Sequence, residues 1–191
     1  MDLLIFIPVL IWLGIISWFD LRKSEIPHSA WVIVPLCLSI FYRIALGTWS
    51  LVVLALLIAA ISERAAIARY CRFSLFDQIK IWIPFLIPVL WWSIQLFPIA
   101  TLAILVFWVA WELGWWGGAD ATTAIVLFLF WPTVELFLLF GLVHVGTVIV
   151  LGLYSLITEK RLMLHRLPGL PLLFLSTLLY LISLFLPLYF G

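Results

Sequence analysis

Charged residues and cysteine are both scarce in this chain. Asp, Glu, Lys and Arg make up 10% of its 191 residues, and their formal net charge is +1. This composition excludes a water-soluble globular domain, and without a basic patch it excludes a nucleic-acid partner. The two cysteines, Cys37 and Cys71, form no CxxC pair, so neither a disulfide scaffold nor a zinc site is predicted.

Long apolar segments and tryptophan are abundant instead. Hydrophobic residues account for 67% of the chain, which has 12 Trp and a mean hydropathy of +1.31. A spanning helix needs about 20 mostly apolar residues, or fewer inside a bundle. Such segments lie at roughly 3–19, 29–46, 48–62, 81–97, 98–113, 120–131, 134–157 and 171–190. We therefore predict an all-α, polytopic transmembrane bundle of about eight helices, or six to seven if segments merge, with lipid as a partner.

A single integral-membrane domain is expected over residues 1–191, with no separate soluble or methyltransferase domain. Residues 1–19 lack a basic start and a small-residue cleavage site, and they lead directly into a charged loop. These features favour a retained helix over a secretory signal peptide.

The basic residues indicate the orientation of the helices. If the crossings alternate, nine of the ten basic residues lie on one face, and only Arg43 lies elsewhere. The loops on that face are 20–28, 63–80, 114–119 and 158–167. By the positive-inside rule this face is cytoplasmic, which predicts a multi-pass protein of the plasma membrane.

Two aspartates lie at the cytoplasmic ends of predicted helices. Asp20 follows the first apolar segment, and Asp120 opens the sixth. A carboxylate near hydrocarbon costs roughly 2.5 to 3.5 kcal/mol and is usually functional. Structural roles stay open, with Asp20 as a solvated loop charge and Asp120 as a helix N-cap. Gly117 and Gly118 indicate an unusual backbone or a close approach by another chain, which an N-cap does not need.

Two short stretches resemble the motifs of one enzyme family. FDLRKSEIPH, residues 19–28, resembles the D-x-R-x-x-x-I-P-N element of the type IV prepilin peptidases and archaeal preflagellin peptidases. GGAD, residues 117–120, resembles their G-x-G-D element. The resemblance implies a membrane aspartic peptidase with Asp20 and Asp120 as catalytic residues. It also implies motif or substrate-binding roles for Arg22, Pro27, Gly117, Gly118, Ala119 and Thr122.

Three residues depart from the family pattern. Ala119 replaces the second glycine of G-x-G-D, Thr122 replaces a frequent lysine, and His28 replaces the asparagine after Ile-Pro. None of these departures removes a carboxylate, so they bear on the substrate more than on the catalytic pair.

The resemblance also implies a substrate, namely the leader of type IV pilin-like or archaellin-like precursors, cut at the cytoplasmic face. Two close carboxyl groups share a proton, so that one activates water and the other protonates the carbonyl, without a metal or cofactor. The small residues Gly117, Gly118 and Ala119 would let an extended substrate approach Asp120. Pro27 would begin the second helix.

Other interpretations stay open. The chain also resembles, more loosely, proteases of the presenilin and signal peptide peptidase type. It is compatible with a small proton or cation transporter, or with an inactive family member that serves in assembly. Glu112 is a candidate third acid or an interfacial charge, Arg43 is a candidate partner of Glu135, and His144 is expected to make a polar contact between helices. The sequence predicts no oligomeric state.

Overall fold

Helices account for nearly all of the chain that the computed structural model describes, which is residues 3–23, 29–71, 78–159 and 169–190. Within these ranges there are nine α-helices, one short π-helical segment and no strand. The predicted all-α class is therefore confirmed. The helices are α1 (Leu3–Lys23), α2 (Val34–Ala45, preceded by the π-helical segment Ser29–Ile33), α3 (Trp49–Ser62), α4 (Arg64–Cys71), α5 (Ile79–Leu96), α6 (Pro98–Glu112), α7 (Gly118–Phe130), α8 (Val134–Glu159) and α9 (Gly169–Phe190).

The predicted apolar segments correspond to eight of these helices, and the additional helix is α4. Its sequence, RAAIARYC, lies in the segment 63–80 that was expected to be a loop. A short, basic segment of this kind has no wide apolar stripe, so hydrophobic periodicity does not reveal it.

Consecutive helices meet at tight connections at Gly47, Phe97-Pro98 and Trp131-Pro132, where glycine and proline are local signals for a helix boundary. Gly47 has a positive φ of 69° and joins α2 to α3. A left-handed backbone of this kind favours glycine, because other residues meet a steric penalty there. Pro98 begins α6, where the missing N–H of proline costs no hydrogen bond.

Two of the described helices are long and apolar enough to cross a membrane, over Ile5–Arg22 and Val134–Tyr154. The other apolar helices contain shorter described stretches of 10–17 residues, among them Lys80–Leu96 in α5 and Gly169–Leu184 in α9. Length alone therefore does not decide how many helices span a bilayer.

Contacts divide the chain into two compact units. The first comprises Met1–Trp31 and Val134–Gly191, and the second comprises Val32–Thr133. In the first unit, α9 packs against both α1 and α8. The side chains of Leu13, Ile16 and Leu173 are buried there. The indole N–H of Trp12 on α1 donates to the carbonyl of Trp31 at 2.9 Å, which ties the π-helical segment to α1.

The second unit is built around α7. Helices α2 and α6 pack against α7, and α3 packs against α5 and α6. A helix that is apolar on all sides is expected to be buried, and α7 is such a helix. Its buried residues are Ala121, Thr123, Ala124, Ile125, Val126, Leu127, Phe128 and Leu129.

Arg43 closes the far end of α7. The residue is 5% exposed, and its Nε donates to the carbonyl of Leu129 in the last turn of α7. The last carbonyls of a helix have no partners within the helix, and a cation there also interacts favourably with the helix dipole. Arg43 thus joins the end of α2 to the end of α7.

Two buried threonines of this unit should respond differently to removal of the hydroxyl group. Thr101 and Ser93 share a 2.8 Å hydrogen bond between α6 and α5, whereas the Thr123 hydroxyl has no hydrogen-bond partner among the described residues. We expect Thr101→Val to lower the free energy of unfolding by about 1 to 3 kcal/mol, because it leaves Ser93 unpaired. Thr123→Val should be neutral or stabilising. Unfolding of the purified variants in detergent measures both effects, and equal losses in the two variants would contradict this assignment.

Candidate functional site

The residues singled out from the sequence fall in both units. Asp20 and Arg22 lie in the last turn of α1, in the first unit, while Asp120 lies in the first turn of α7, in the second unit. Pro27 lies outside the described residues. The pairing of Asp20 with Asp120 therefore stays a prediction.

The sequence had indicated that Asp20 follows the first helix. Asp20 instead lies within α1, because this helix continues to Lys23. The residue is partly buried, and its Oδ2 atom is shielded from solvent. A solvated loop charge does not describe this position. The carboxyl group also lies near the negative end of the α1 dipole, where a second negative charge is disfavoured.

Arg22 does not share a helix face with Asp20, because residues two positions apart on a helix point in different directions. The Arg22 guanidinium lies over the ring of Trp18, one turn earlier, at 4.3 Å from the ring centroid. This geometry is that of a cation–π contact on the exposed surface of α1. Within the described residues, Arg22 thus packs onto its own helix.

A glycine turn ends α6 and directs the chain toward α7. Gly114 has a positive φ of 71° and donates to the carbonyl of Trp111 at 2.9 Å. Trp115 donates to the carbonyl of Ala110, also at 2.9 Å. These two bonds form a Schellman motif, which satisfies carbonyls at the end of the helix. The sequence signal for this turn is Gly114, which comes directly after the apolar run of α6.

Aromatic stacking holds the loop between α6 and α7 in place. The ring of Trp116 stacks on Phe107 of α6 at 5.1 Å between centroids, and Phe107 stacks in turn on Phe128 of α7 at 5.6 Å. Trp115 next to it is 76% exposed, so of the two tryptophans only Trp116 contributes to this packing. These ring contacts therefore fix the position of Gly117 at the start of α7.

Gly117, and not Asp120, is the N-cap of α7. Its backbone is extended, and its carbonyl accepts the first helical hydrogen bond, from the N–H of Ala121 at 3.0 Å. Asp120 is the third residue of the helix and is partly buried. The positive end of a helix dipole stabilises a carboxylate in the first turn by about 0.3 to 1 kcal/mol.

The indole of Trp111 occupies the space beside Gly118 where a side chain would lie, so this position favours glycine. A Cβ atom at Gly118 would meet three atoms of the Trp111 indole at 3.1 to 3.2 Å. The sequence had suggested that this glycine leaves room for a substrate, but an indole of the same unit fills the position. Thr122, at the place of the frequent family lysine, donates its hydroxyl to the Gly118 carbonyl at 2.8 Å.

An ion pair lies next to Trp111. Arg64, at the start of α4, donates through Nη1 to Glu112 Oε1 at 2.9 Å and to the carbonyl of Ile61 at 3.0 Å. The two charged side chains are 25% and 22% exposed, respectively. The pair borders an open cleft of about 220 Å³ lined by Ser62, Arg64, Ala65, Trp111 and Glu112. Arg64 was not a candidate from sequence, because 48 residues separate it from Glu112.

The described residues contain no group of three His, Cys, Asp or Glu side chains close enough to hold a metal ion. His144, on α8, packs against Phe140 of the same helix with the two rings tilted by 40° and their centroids 4.2 Å apart. The chemistry available at the start of α7 is therefore that of a carboxylate on a helix terminus, beside an ion pair and an indole.

No family model, curated protein or solved structure matches this chain.

The packing of Trp111 on Gly118 generates a test of the start of α7. We expect Gly118→Leu to destabilise the protein by about 1 to 3 kcal/mol, because the indole must leave its position. Gly141→Leu is the matched control, since nothing lies within 4 Å of a Cβ atom at Gly141. Thermal unfolding in detergent compares the two variants. If the two variants were equally stable, the Trp111 indole could move aside at no measurable cost, which would contradict this prediction.

Proposed function

We propose that this chain is a multi-pass membrane aspartic endopeptidase that uses Asp20 and Asp120. One observation carries the proposal: each aspartate of the two family-like motifs lies in a terminal turn of an apolar helix, the last turn of α1 and the first turn of α7. A peptidase that acts at a membrane interface needs its carboxyl groups close to that interface, and the ends of spanning helices lie there. The substrate class, leaders of prepilin-like or archaellin-like precursors, comes from the resemblance.

The distribution of apolar surface supports a place in the membrane. Large hydrophobic side chains are exposed on several helices, for example Phe41 at 67%, Trp91 at 70% and Leu142 at 70%. Exposed apolar surface on this scale is typical of contact with lipid. The basic loops then face the cytoplasm, and both aspartates lie on that side.

The short length of α7 suits a recessed carboxylate. Its 13 residues extend about 20 Å, less than the hydrocarbon thickness of about 30 Å. Because α7 is buried by its neighbours, it does not need to match the bilayer. Asp120, in the first turn of α7, would then lie below the membrane surface, where a substrate helix that remains in the membrane can reach it.

The helix ends suit the two aspartates to different roles. Asp120, at the positive end of α7, is the carboxylate suited to act as general base to a water molecule. Asp20, at the negative end of α1, is suited to the protonated role and donates its proton to the peptide carbonyl oxygen. Water adds to the carbonyl carbon and gives a tetrahedral diol. As the C–N bond breaks, the proton held by Asp120 passes to the leaving amine, and one hydroxyl proton of the diol returns to Asp20, which leaves a carboxylic acid product.

Replacing either aspartate should stop cleavage. We expect Asp20→Asn and Asp120→Asn each to lower the rate of leader removal by at least about 10³-fold, because neither amide can exchange a proton in the reaction. Co-expression with a panel of tagged prepilin and archaellin precursors, followed by gel shift, measures this rate. Glu135→Gln, which neutralises an exposed acid on α8, is the control and should retain cleavage.

Cleavage by either asparagine variant would contradict a two-aspartate mechanism. If folded wild-type protein cleaves no precursor across a broad panel, the peptidase proposal fails. Proton or cation flux through reconstituted vesicles then tests the transporter interpretation, in which the same acids would form a relay.

The pH dependence gives a second test of the proposed mechanism. We expect the rate of cleavage to follow a bell-shaped profile, because the active form carries one proton shared between two carboxyl groups. Both the fully protonated and the fully ionised pair would be inactive. Initial rates of the purified enzyme in vesicles, measured across the acidic and neutral range, check this shape. A rate that rises or falls monotonically would contradict the shared proton.

A further inference from the structure

A chain of contacts connects a distant ion pair to the turn that carries Asp120. Glu112 is the last residue of α6, and Arg64 is the first residue of α4. Trp111 precedes Glu112, and its indole fills the space beside Gly118, the first residue of α7. All of these residues belong to the second unit.

The ion pair places two charges against their own helix dipoles. Glu112 lies at the negative end of α6, and Arg64 lies at the positive end of α4, so each position alone disfavours the charge it holds. Their 2.9 Å contact compensates for this arrangement. Arg64 is held further by the carbonyl of Ile61 at the end of α3. The pair therefore joins the end of α3 and the start of α4 to the end of α6.

We propose that Arg64, Glu112 and Trp111 form a positioning latch that holds the first turn of α7 and thereby sets the position of Asp120. With the ion pair closed, the end of α6 is fixed and the indole of Trp111 stays against Gly118. With the pair broken, the end of α6 is released, and the start of α7 loses the surface it packs on. The catalytic consequence rests on the proposed function, whereas the mechanical one does not.

The mechanical test measures access to the start of α7. Ala119→Cys, in a background with Cys37→Ser and Cys71→Ser, introduces a thiol next to Asp120, and its alkylation by a water-soluble maleimide is followed over time. We expect Arg64→Gln and Glu112→Gln each to raise the alkylation rate by about threefold or more, since partly exposed pairs contribute modestly. Trp111→Ala should raise it further.

Two controls separate the latch from a general loss of structure. The double variant Arg64→Glu/Glu112→Arg reverses the pair and also places each charge at the helix end that favours it, so it should restore the original rate. Arg69→Gln removes an exposed charge of the same helix, where Arg69 bonds only the backbone of Ala65 among the described residues, and it should leave the rate unchanged. Unchanged alkylation in both single variants, or a reversed pair that fails to restore the rate, would overturn the latch.

The catalytic test uses the same variants on a cleaved precursor. We expect Arg64→Gln and Glu112→Gln to lower kcat by about threefold or more with a smaller effect on KM, because displacement of Asp120 acts mainly on the chemical step. Arg64→Lys and Glu112→Asp, which keep the charges, should recover most of kcat. An increase in KM at constant kcat would overturn the positioning role. If wild type cleaves nothing, the proposed function fails, while alkylation still decides whether the latch exists.

Discussion

The burial of α7 between α2 and α6 is the constraint on which the second unit depends. Thirteen residues form this helix, and most of its side chains are out of contact with solvent. Neighbouring helices cover most of the surface of α7, and contacts from these neighbours also hold both of its ends. Arg43 of α2 holds the carbonyl end, and the end of α6 with Trp111 holds the amide end. The only charged residue of α7 is located at this second end.

The two aspartates differ in the electrostatics of the helix ends where they lie. Asp120 gains from the positive end of α7, and Asp20 is opposed by the negative end of α1. If Asp20 and Asp120 form the proposed pair, the helix dipoles favour Asp20 as its protonated member and Asp120 as its ionised member.

The two glycines of the GGAD segment have different structural roles. Gly117 forms the N-cap, and Gly118 accommodates the indole of Trp111. The segment is therefore held tightly from the side of α6. A substrate that reaches Asp120 would have to approach from another direction, which restricts the geometry of any complex.

Hydrophobic runs and turn residues are local signals, and they determined the all-α class, the apolar helices and the tight connections at Gly47 and Pro98. The same local signals placed Asp120 near a helix start. They missed α4, which is short and basic, and the last turn of α1, which carries charges of both signs, because neither segment has an apolar pattern. Only the tertiary structure decided that Glu112 meets Arg64 across 48 residues, that Arg43 reaches Leu129 across 86, and that Trp111 covers Gly118. Contacts of this kind form only when particular helices pack together, and that packing depends on the shape and burial of whole helix faces.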